Sequence, residues 1–532
     1  MHDQADLFFN EGVHFATAGR HENALASFDK ALDLNPGDAD AWKNRGIVLD
    51  ALGRHTESVL SYDRAIAIRP GDAVLWLVRA NALNMDKRFG EAVISYDRVT
   101  AINPDNADAW YGRGNALTDL GRNIEAIESY DRAVALRPDA AGAWFNRGIV
   151  LNREKRYEEA IASYDRALVL NPDDAMVWHN RGTVLDELGR YKEAVASYDR
   201  AIALRPEYAM AWFGRGNAQN SEKMFEDAVA SYDRAIALSA DKATVWNNRG
   251  NALNDLDRPA EAVASYDRAL AIQPDYANAW FNRGIALARE NRYDEALDSY
   301  DRALALSPGD AGIWLNRGTV LDAAGRHEEA IASYDRAIAL RPEYAEAWYN
   351  RGIALEKEKR FLDEIDSYDR TLALSPENAL AWNNRGIVLD ELGRYKDAVA
   401  SYDRALAIQP DYALAWYNRG IALSKDKRFR EAVESYDRAL AIQPDYSTAW
   451  NNRGIALDAL GCPEDAVASF DRALDINPDN PDAWNNRGHA LLKTGQITEA
   501  IGSFEIAVAL SPSHRPAHNN LDAALRRLDS GS

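Results

Sequence analysis

All fourteen tryptophans of this chain are spaced at one fixed interval, so that each stands thirty-four positions after the one before. They are Trp42, Trp76, Trp110, Trp144, Trp178, Trp212, Trp246, Trp280, Trp314, Trp348, Trp382, Trp416, Trp450 and Trp484. Phe8 and His518 extend the series by one interval at each end. A fixed period of this length is typical of a tandem array in which each unit is one small supersecondary motif. The sequence therefore predicts a repeat protein, whose function depends on the positions that change between repeats.

The repeats account for almost the whole chain. With tryptophan placed at position 4, fifteen full repeats of this length run without a gap over residues 5–514. We predict one continuous solenoid over this range, and a C-terminal capping helix and tail over residues 515–532. Arg526, Arg527 and Asp529 favour a capping role for the last helix, because the terminal unit of an array needs a polar outer face.

Each repeat predicts two helices. In repeat 12 the apolar spacing indicates a first helix over Ala381–Leu392 and a second helix over Tyr395–Ile408, and Gly393 breaks the pattern between them. The glycine at position 8 of the first helix lowers helix propensity, so we expect it to allow the second helix to approach closely. Neither helix buries its apolar stripe alone, so neighbouring repeats must stack in an all-α fold.

Six positions of the unit resemble a known family. Repeat 12 shows them as Trp382, Gly386, Ala398, Tyr402, Ala405 and Pro410. This pattern is similar to the tetratricopeptide repeat (TPR), and the similarity extends over residues 5–514. The resemblance implies an α-solenoid, a right-handed superhelix of antiparallel helix pairs with a concave groove lined by the first helices. It also implies a protein-interaction scaffold rather than an enzyme.

Arginine at position 7 departs from the family pattern, which usually has leucine there. A half-buried guanidinium needs a partner, and the aspartate at position 25 is the obvious one. Repeat 1 has Glu11 at position 7, which would clash with its own Asp29 if pairing were internal. We therefore predict that Arg385 pairs with Asp369 of the preceding repeat, as a structural contact.

Asparagine fills position 6 of most repeats, on the first-helix face opposite the apolar stripe. An amide offers donors and an acceptor to the backbone of an extended peptide. This row resembles the asparagine ladder in the TPR superhelix of O-linked N-acetylglucosamine transferases. The predicted peptide-binding asparagines are Asn248, Asn282, Asn316, Asn350, Asn384, Asn418, Asn452 and Asn486. The alternative is that asparagine at position 6 only helps helix packing.

A second period, two repeats long, lies on top of the first. Position 5 is aromatic in the odd repeats, and the predicted peptide-binding aromatics are Phe213, Phe281, Tyr349 and Tyr417. The even repeats tend to carry an acid at position 12, and the odd repeats a base at position 13. We expect a groove that alternates aromatic and basic with polar and acidic repeats. The alternative is growth of the array by duplication of a repeat pair, without a selected ligand.

Composition excludes several classes of function. The net charge of −21 disfavours nucleic acid and anionic membranes as partners. Cys462 is the single cysteine, which excludes disulfides and thiolate metal clusters. His514 and His518 are separated by Pro516, which disfavours a metal site there. We expect no metal and no cofactor. No apolar run follows Met1, so we expect neither a signal peptide nor a membrane span, and a cytoplasmic location.

Three functions remain open from the sequence. The first is a non-enzymatic scaffold that binds extended peptide segments of other proteins in the groove, and that is itself a monomer. The second is a structural protein that self-associates end to end into longer superhelices. The third is the recognition subunit of a separately encoded enzyme.

Overall fold

The computed structural model describes residues 2–529, and all regular secondary structure in that range is α-helical. The helices are α1 (His2–Thr17), α2 (His21–Leu34), α3 (Ala39–Ala51), α4 (His55–Ile68), α5 (Ala73–Met85), α6 (Phe89–Ile102), α7 (Ala107–Asp119), α8 (Asn123–Leu136), α9 (Ala141–Arg153), α10 (Tyr157–Leu170), α11 (Ala175–Glu187), α12 (Tyr191–Leu204), α13 (Ala209–Ser221), α14 (Phe225–Leu238), α15 (Ala243–Asp255), α16 (Pro259–Ile272), α17 (Ala277–Arg289), α18 (Tyr293–Leu306), α19 (Ala311–Ala323), α20 (His327–Leu340), α21 (Ala345–Lys357), α22 (Phe361–Leu374), α23 (Ala379–Glu391), α24 (Tyr395–Ile408), α25 (Ala413–Lys425), α26 (Phe429–Ile442), α27 (Ser447–Ala459), α28 (Pro463–Ile476), α29 (Pro481–Lys493), α30 (Ile497–Leu510) and α31 (Arg515–Asp529).

The helices fall into two compact units that divide between Pro274 and Asp275. The first unit holds α1 to α16 and the second holds α17 to α31. Within each unit every helix packs against the next helix in the chain, and the first helices of successive repeats touch each other, as α3 touches α5. Each unit is therefore an α-solenoid of helix pairs, as the sequence predicts. The single continuous solenoid over residues 5–514 stays a prediction.

Repeat 12 shows how the sequence sets the helix ends. Its second helix has the predicted bounds, whereas its first helix begins two residues earlier and ends one residue earlier than predicted. The early start has a local cause, since the side chain of Asn378 accepts a hydrogen bond from the Ala381 N–H at 3.0 Å and caps the helix. Gly393 follows the helix with φ of +74°, a conformation that glycine adopts without strain.

The glycine at position 8 marks where the two helices of a repeat are closest. A Cβ atom built on Gly386 would lie 2.5 Å from the Cε1 atom of Tyr402. The Tyr402 ring is 1% exposed and fills the space that a side chain at position 8 would need. The expected close approach at this glycine is therefore confirmed, and the partner is the aromatic ring at position 24.

The predicted arginine–aspartate pairing is also confirmed. Arg385 donates Nε–H to Asp369 Oδ1 at 2.6 Å. Its Nη1 donates to Ser401 Oγ at 2.7 Å, a contact that the sequence did not predict. Because Asp369 lies on α22 and Ser401 on α24, the guanidinium on α23 joins the second helices of two successive repeats. The bonds recur at Arg45, which contacts Asp29 at 2.6 Å and Ser61 at 2.7 Å.

The tryptophans are less enclosed than the sequence suggests. We expect them to be buried between neighbouring helices, but all fourteen are half-buried. The indole N–H needs an acceptor, and Trp382 donates it to the Pro376 carbonyl oxygen at 3.0 Å, in the turn before its own helix. The Arg385 guanidinium carbon lies 5.8 Å from the centre of the Trp382 ring. The tryptophan thus packs at the edge of the junction between repeats. The core is formed by smaller side chains and the tyrosine at position 24.

Candidate functional site

The first helices carry all twelve residues that the sequence proposes for peptide binding. We call the surface formed by positions 2, 5, 6, 9, 12 and 13 of these helices the first-helix face. Phe213 on α13 and Asn248 on α15 belong to the first unit, and the other ten lie on α17 to α29 of the second. All twelve side chains are half-buried. They are therefore held by neighbours and still partly open to solvent.

Position 5 of one repeat determines the partner of the asparagine at position 6 of the next. Where position 5 is tyrosine, the amide donates to its hydroxyl: Asn384 Nδ2 lies 3.3 Å from Tyr349 Oη, and Asn452 Nδ2 lies 3.2 Å from Tyr417 Oη. Where position 5 is asparagine, the amide donates to its carbonyl oxygen. Asn418 reaches Asn383 at 3.2 Å, and Asn486 reaches Asn451 at 3.3 Å in the same way.

An apolar residue at position 5 offers no acceptor, and the following asparagine turns elsewhere. Asn350 comes after Leu315 and has no side-chain hydrogen bond to any other described residue. Asn316 donates instead to the Gly312 carbonyl oxygen of its own helix at 2.9 Å. Asn248 follows Phe213 and donates to Asn217 Oδ1, 3.1 Å away. The asparagine row is thus not uniform, and Asn350 has its whole hydrogen-bonding capacity available.

The two asparagines of an even repeat also bond to each other. Asn383 Nδ2 donates to Asn384 Oδ1 at 3.3 Å, and Asn451 Nδ2 donates to Asn452 Oδ1 at 3.3 Å. Together with the bonds between repeats, these contacts form two short chains on the first-helix face of the second unit, Tyr349–Asn384–Asn383–Asn418 and Tyr417–Asn452–Asn451–Asn486. Adjacent repeats are therefore held in register by the residues that were predicted to bind a peptide.

Charges on the face pair in the same two-repeat rhythm. Lys425 at position 13 donates to Asp390 at position 12 of the preceding repeat, with Nζ 2.6 Å from Oδ2. Lys493 contacts Asp458 in the same way at 2.7 Å. At these two junctions a base in an odd repeat neutralises an acid in the even repeat before it, whereas Lys357 contacts Glu356 of its own repeat instead.

The four predicted aromatic residues are fixed by rings of their own repeats. Each packs tilted against the ring at position 24, with ring centres 6.1 Å apart for Phe213 and Tyr232 and 6.0 Å apart for Tyr349 and Tyr368. Burial raises the pKa of the Tyr349 hydroxyl, and the hydrogen bond from Asn384 offsets part of that rise. The rings are thus held by a neighbouring ring and are still partly exposed.

Two titratable groups on the first-helix face of α11 are shifted by burial. Burial lowers the pKa of His179 to about 4, so its imidazole is neutral at pH 7 and packs 5.0 Å from the Tyr208 ring. Burial and the neighbouring Glu187 raise the pKa of Asp186 to about 6. Among residues 2–529 no three His, Cys, Asp or Glu side chains are grouped to hold a metal ion. No helix in this range is long and apolar enough to span a membrane.

The sequence prediction missed a part of the face in the first unit. Asn146 donates to Tyr111 Oη at 3.1 Å and to Asn115 Oδ1 at 3.0 Å, and an open concavity lies on each side of these bonds. A sequence signal was present. Ala140 lies just before α9, where several other repeats have tyrosine. This difference marks the turn before α9 in the sequence.

Comparison with protein families gives one match that tiles the chain. The tetratricopeptide repeat model matches residues 9–73, 77–141, 111–175, 179–243, 221–277, 247–311, 315–379, 365–413, 383–447, 417–481 and 451–515. Comparison with curated proteins gives no match.

The chain is similar to several solved structures. YrrB, described as a TPR protein with an unusual peptide-binding site, is 27% identical with a TM-score of 0.32, over 35% of this chain and 95% of that one. MamA is 24% identical with a TM-score of 0.32, over 33% and 96%. The Naa15/Naa10 complex bound to HypK-THB is 13% identical with a TM-score of 0.35, over 99% and 97%.

Proposed function

Because the chain belongs to the tetratricopeptide repeat family, we propose that it is a non-enzymatic scaffold that binds extended peptide segments of partner proteins on its first-helix face. The observation that carries this proposal is the row of half-buried amides and aromatic edges on α17 to α29. The family supports a role in protein interaction, and the choice of this face rests on the chemistry of these side chains.

The asparagines keep hydrogen-bonding capacity after their internal bonds are counted. Asn384 uses one N–H towards Tyr349 and one oxygen lone pair towards Asn383, so one donor and one acceptor site remain. Asn350 retains its full capacity. An extended backbone presents N–H and C=O groups that such amides can bind whatever the side chains are. The internal bonds also fix the amides in advance, which lowers the entropy lost on binding.

The aromatic residues supply the apolar part of the proposed contact. Tyr349 and Tyr417 stand two repeats apart, and each ring packs against a buried tyrosine behind it. Rigid aromatic side chains provide contact area at a low entropic cost. They would therefore decide which segments bind, while the amides hold the main chain.

The experiment starts from peptides selected from a random library on the full chain, and it uses two matched double variants. Asn384→Ala with Asn452→Ala removes both amides and their internal bonds. Tyr349→Phe with Tyr417→Phe removes only the bonds between the amides and the tyrosine hydroxyls, and keeps the amides, their bonds to Asn383 and Asn451, and the rings. At about 0.5–1.5 kcal/mol per hydrogen bond, the asparagine double variant should bind selected peptides roughly 5- to 150-fold more weakly.

The tyrosine double variant should bind these peptides with nearly unchanged affinity, because the groups that contact the main chain remain. Circular dichroism of both variants checks that the helices are intact. Equal losses in the two variants would mean that only the internal bonds matter. An unchanged affinity in the asparagine variant would place binding away from this face. Sedimentation velocity over a range of concentrations tests the alternative of end-to-end association, which predicts growing species.

A further inference from the structure

The turn before α9 lacks the tyrosine that five of the equivalent turns carry. Ala140 stands at the residue that precedes the first helix of repeat 5, and Tyr208, Tyr412 and Tyr446 hold the same place before α13, α25 and α27. Five turns have tyrosine at this place and most of the others have aspartate or asparagine, so the tyrosine turns show how a ring can fill it.

In the equivalent turns the tyrosine fills a half-buried niche between two repeats. The Tyr446 ring lies 4.7 Å from the ring of Tyr417, which stands at position 5 of the repeat that this turn closes. Tyr208 lies 5.0 Å from His179 in the same relation. Tyr412 packs on the cluster formed by Ala405, Leu406 and Ala415 between two tryptophans. One phenol ring thus covers small apolar side chains of the second helix and of the next first helix.

The same buried cluster is present at Ala140, where no tyrosine of the turn packs against it. Ala133, Val134 and Ala143 form the equivalent apolar patch, with Ala140 in place of the tyrosine. A pocket of about 190 Å³ opens there against the ring of Tyr111. Tyr111 is the counterpart of Tyr417, so its ring lacks the partner that Tyr417 has in Tyr446.

An arginine at the rim completes the resemblance to the filled niches. The Arg205 guanidinium carbon lies 5.1 Å from the centre of the Tyr208 ring, and Arg341 is 4.7 Å from Tyr344 in the same way. Arg137 has the equivalent position and lines the empty pocket. It is held by Asp108 through two bonds of 2.6 and 3.0 Å, which engage the edge of the guanidinium and leave its faces for stacking.

We propose that this pocket binds an aromatic side chain, with tyrosine preferred, from a partner segment. The incoming ring takes the place that the chain's own tyrosine has in the other turns: on the Ala133 and Ala143 patch, against Tyr111 and under Arg137. This ring would be one anchor residue of a segment of the kind described under the proposed function. The extended form of that segment rests on the proposed function.

The neighbouring concavity fits the main chain next to this anchor. It has a volume of about 370 Å³ and is lined by Asn84, Asn115 and Arg153, on the other side of the Tyr111–Asn146 bond. The Asn84 Oδ1 atom is buried and has no hydrogen-bond donor among the described residues. A backbone N–H of the bound segment would satisfy it, so an aromatic anchor and a main-chain contact lie side by side.

The test uses N-acetyl-L-tyrosinamide as the probe and fills the pocket from within. Ala140→Tyr introduces the residue that equivalent turns already hold, so the fold is expected to tolerate it. Asp139→Tyr adds the same ring one residue earlier, at an exposed position, as the matched control. Ligand-observed NMR on the full chain should show probe binding to the wild type and to Asp139→Tyr, and about tenfold less to Ala140→Tyr. Equal binding by all three proteins would overturn the proposal.

Selected peptides separate this proposal from the proposed function. Peptides that bind near repeats 4 and 5 should share an aromatic residue and lose at least about tenfold in affinity for Ala140→Tyr. If peptides that bind near repeats 4 and 5 bind Ala140→Tyr as tightly as the wild type, the pocket proposal is wrong, and the proposed function stands where peptides depend on the asparagine amides. If the probe is lost in Ala140→Tyr but no peptide can be selected, the pocket stands and the proposed function is wrong.

Discussion

Arg385 and Asp369 form a 2.6 Å ion pair that joins the first helix of repeat 12 to the second helix of repeat 11. The two side chains differ in their surroundings, since Arg385 is 21% exposed and Asp369 is 49% exposed. The pair also gives a hydrogen-bond partner to the Arg385 guanidinium, which is enclosed beside Trp382. Loss of the aspartate therefore strands an enclosed charge, whereas loss of the arginine leaves a carboxylate that water can reach.

We predict that Asp369→Leu destabilises repeats 11 and 12 more than Arg385→Leu does. The expected cost of Asp369→Leu is about 1 kcal/mol, reduced from a fully buried case because the pair is partly screened by water. Arg385→Leu should cost less, since Ser401 keeps its bond to the Asp397 carbonyl oxygen. Hydrogen exchange of the α22 to α24 amides measures both variants. Arg370 is exposed, so Arg370→Leu serves as the control. A larger loss of stability in Arg385→Leu than in Asp369→Leu would contradict the prediction.

The same glycine-to-alanine change should have opposite effects at two helical sites. Gly386→Ala places a Cβ atom 2.5 Å from the fixed Tyr402 ring, and overpacking of this kind costs about 1–3 kcal/mol. Gly502 lies inside α30, and a Cβ atom added there would meet no atom within 4 Å, so Gly502→Ala should stabilise that helix by about 0.5–1 kcal/mol. Thermal unfolding followed by circular dichroism compares the stability of the two variants. A stability change of the same sign in both would show that helix propensity alone governs both sites.

The sequence predicts the fold well because each repeat gives the same local evidence many times. The helix pair, the turn at Gly393 and the direction of the Arg385–Asp369 pair all follow from positions that recur at one interval. Repeat 1, the first of the array, is informative, since Glu11 at position 7 distinguishes pairing within a repeat from pairing between repeats. The structure shows the consequence, as Glu11 accepts a bond from Ser27 at 3.3 Å instead of facing a second carboxylate.

The candidate site was harder to predict because it depends on pairs of positions from different repeats. Asn384 and Asn350 look alike in sequence, yet one donates to a tyrosine hydroxyl and the other follows a leucine that accepts nothing. Lys425 and Asp390 likewise look like separate face charges until the structure places them 2.6 Å apart. The pocket at Ala140 lies where five other turns carry a tyrosine, a relation that only comparison of equivalent turns makes visible.

We predict that Trp382→Ala acts locally. The indole packs on the cluster at the junction of repeats 12 and 13 and donates to Pro376 of repeat 11, so its loss removes apolar contacts and one hydrogen bond. The cost should be about 2–4 kcal/mol, less than for a fully buried tryptophan. Because each repeat touches only its neighbours, exchange should rise in α22 to α25 and stay unchanged in α28 to α30. A uniform rise along the chain would contradict this.

Glu364 is an exception to the repeat and leads to a prediction about pH. It occupies position 20 of repeat 11, where repeat 12 has Ala398. Its side chain is 1% exposed, and its Oε2 atom has no hydrogen-bond partner in the described part of the chain. Burial raises the pKa of this carboxyl to about 8; Glu356 and Glu391 add to the rise and Lys357 opposes it. The folded state therefore holds a proton that the unfolded chain releases near pH 4.5, the ordinary value.

The sign of the effect follows from this difference in bound protons. Between about pH 4.5 and pH 8 the unfolded state binds fewer protons than the folded state, so the stability of repeat 11 should fall as pH rises and level off above the folded pKa. Each pKa unit corresponds to about 1.4 kcal/mol, so the loss is a few kcal/mol at most. Glu364→Ala should remove this dependence and stabilise the repeat at pH 8, because it restores the residue that repeat 12 has. Exposed Glu377→Ala makes the same change in charge without burial and should leave the pH profile as in the wild type. Exchange of the α21 and α22 amides at pH 5.5 and pH 8, corrected for the intrinsic rate, measures the difference. A wild-type repeat as stable at pH 8 as at pH 5.5 would mean that the carboxylate finds water or a partner once it ionises.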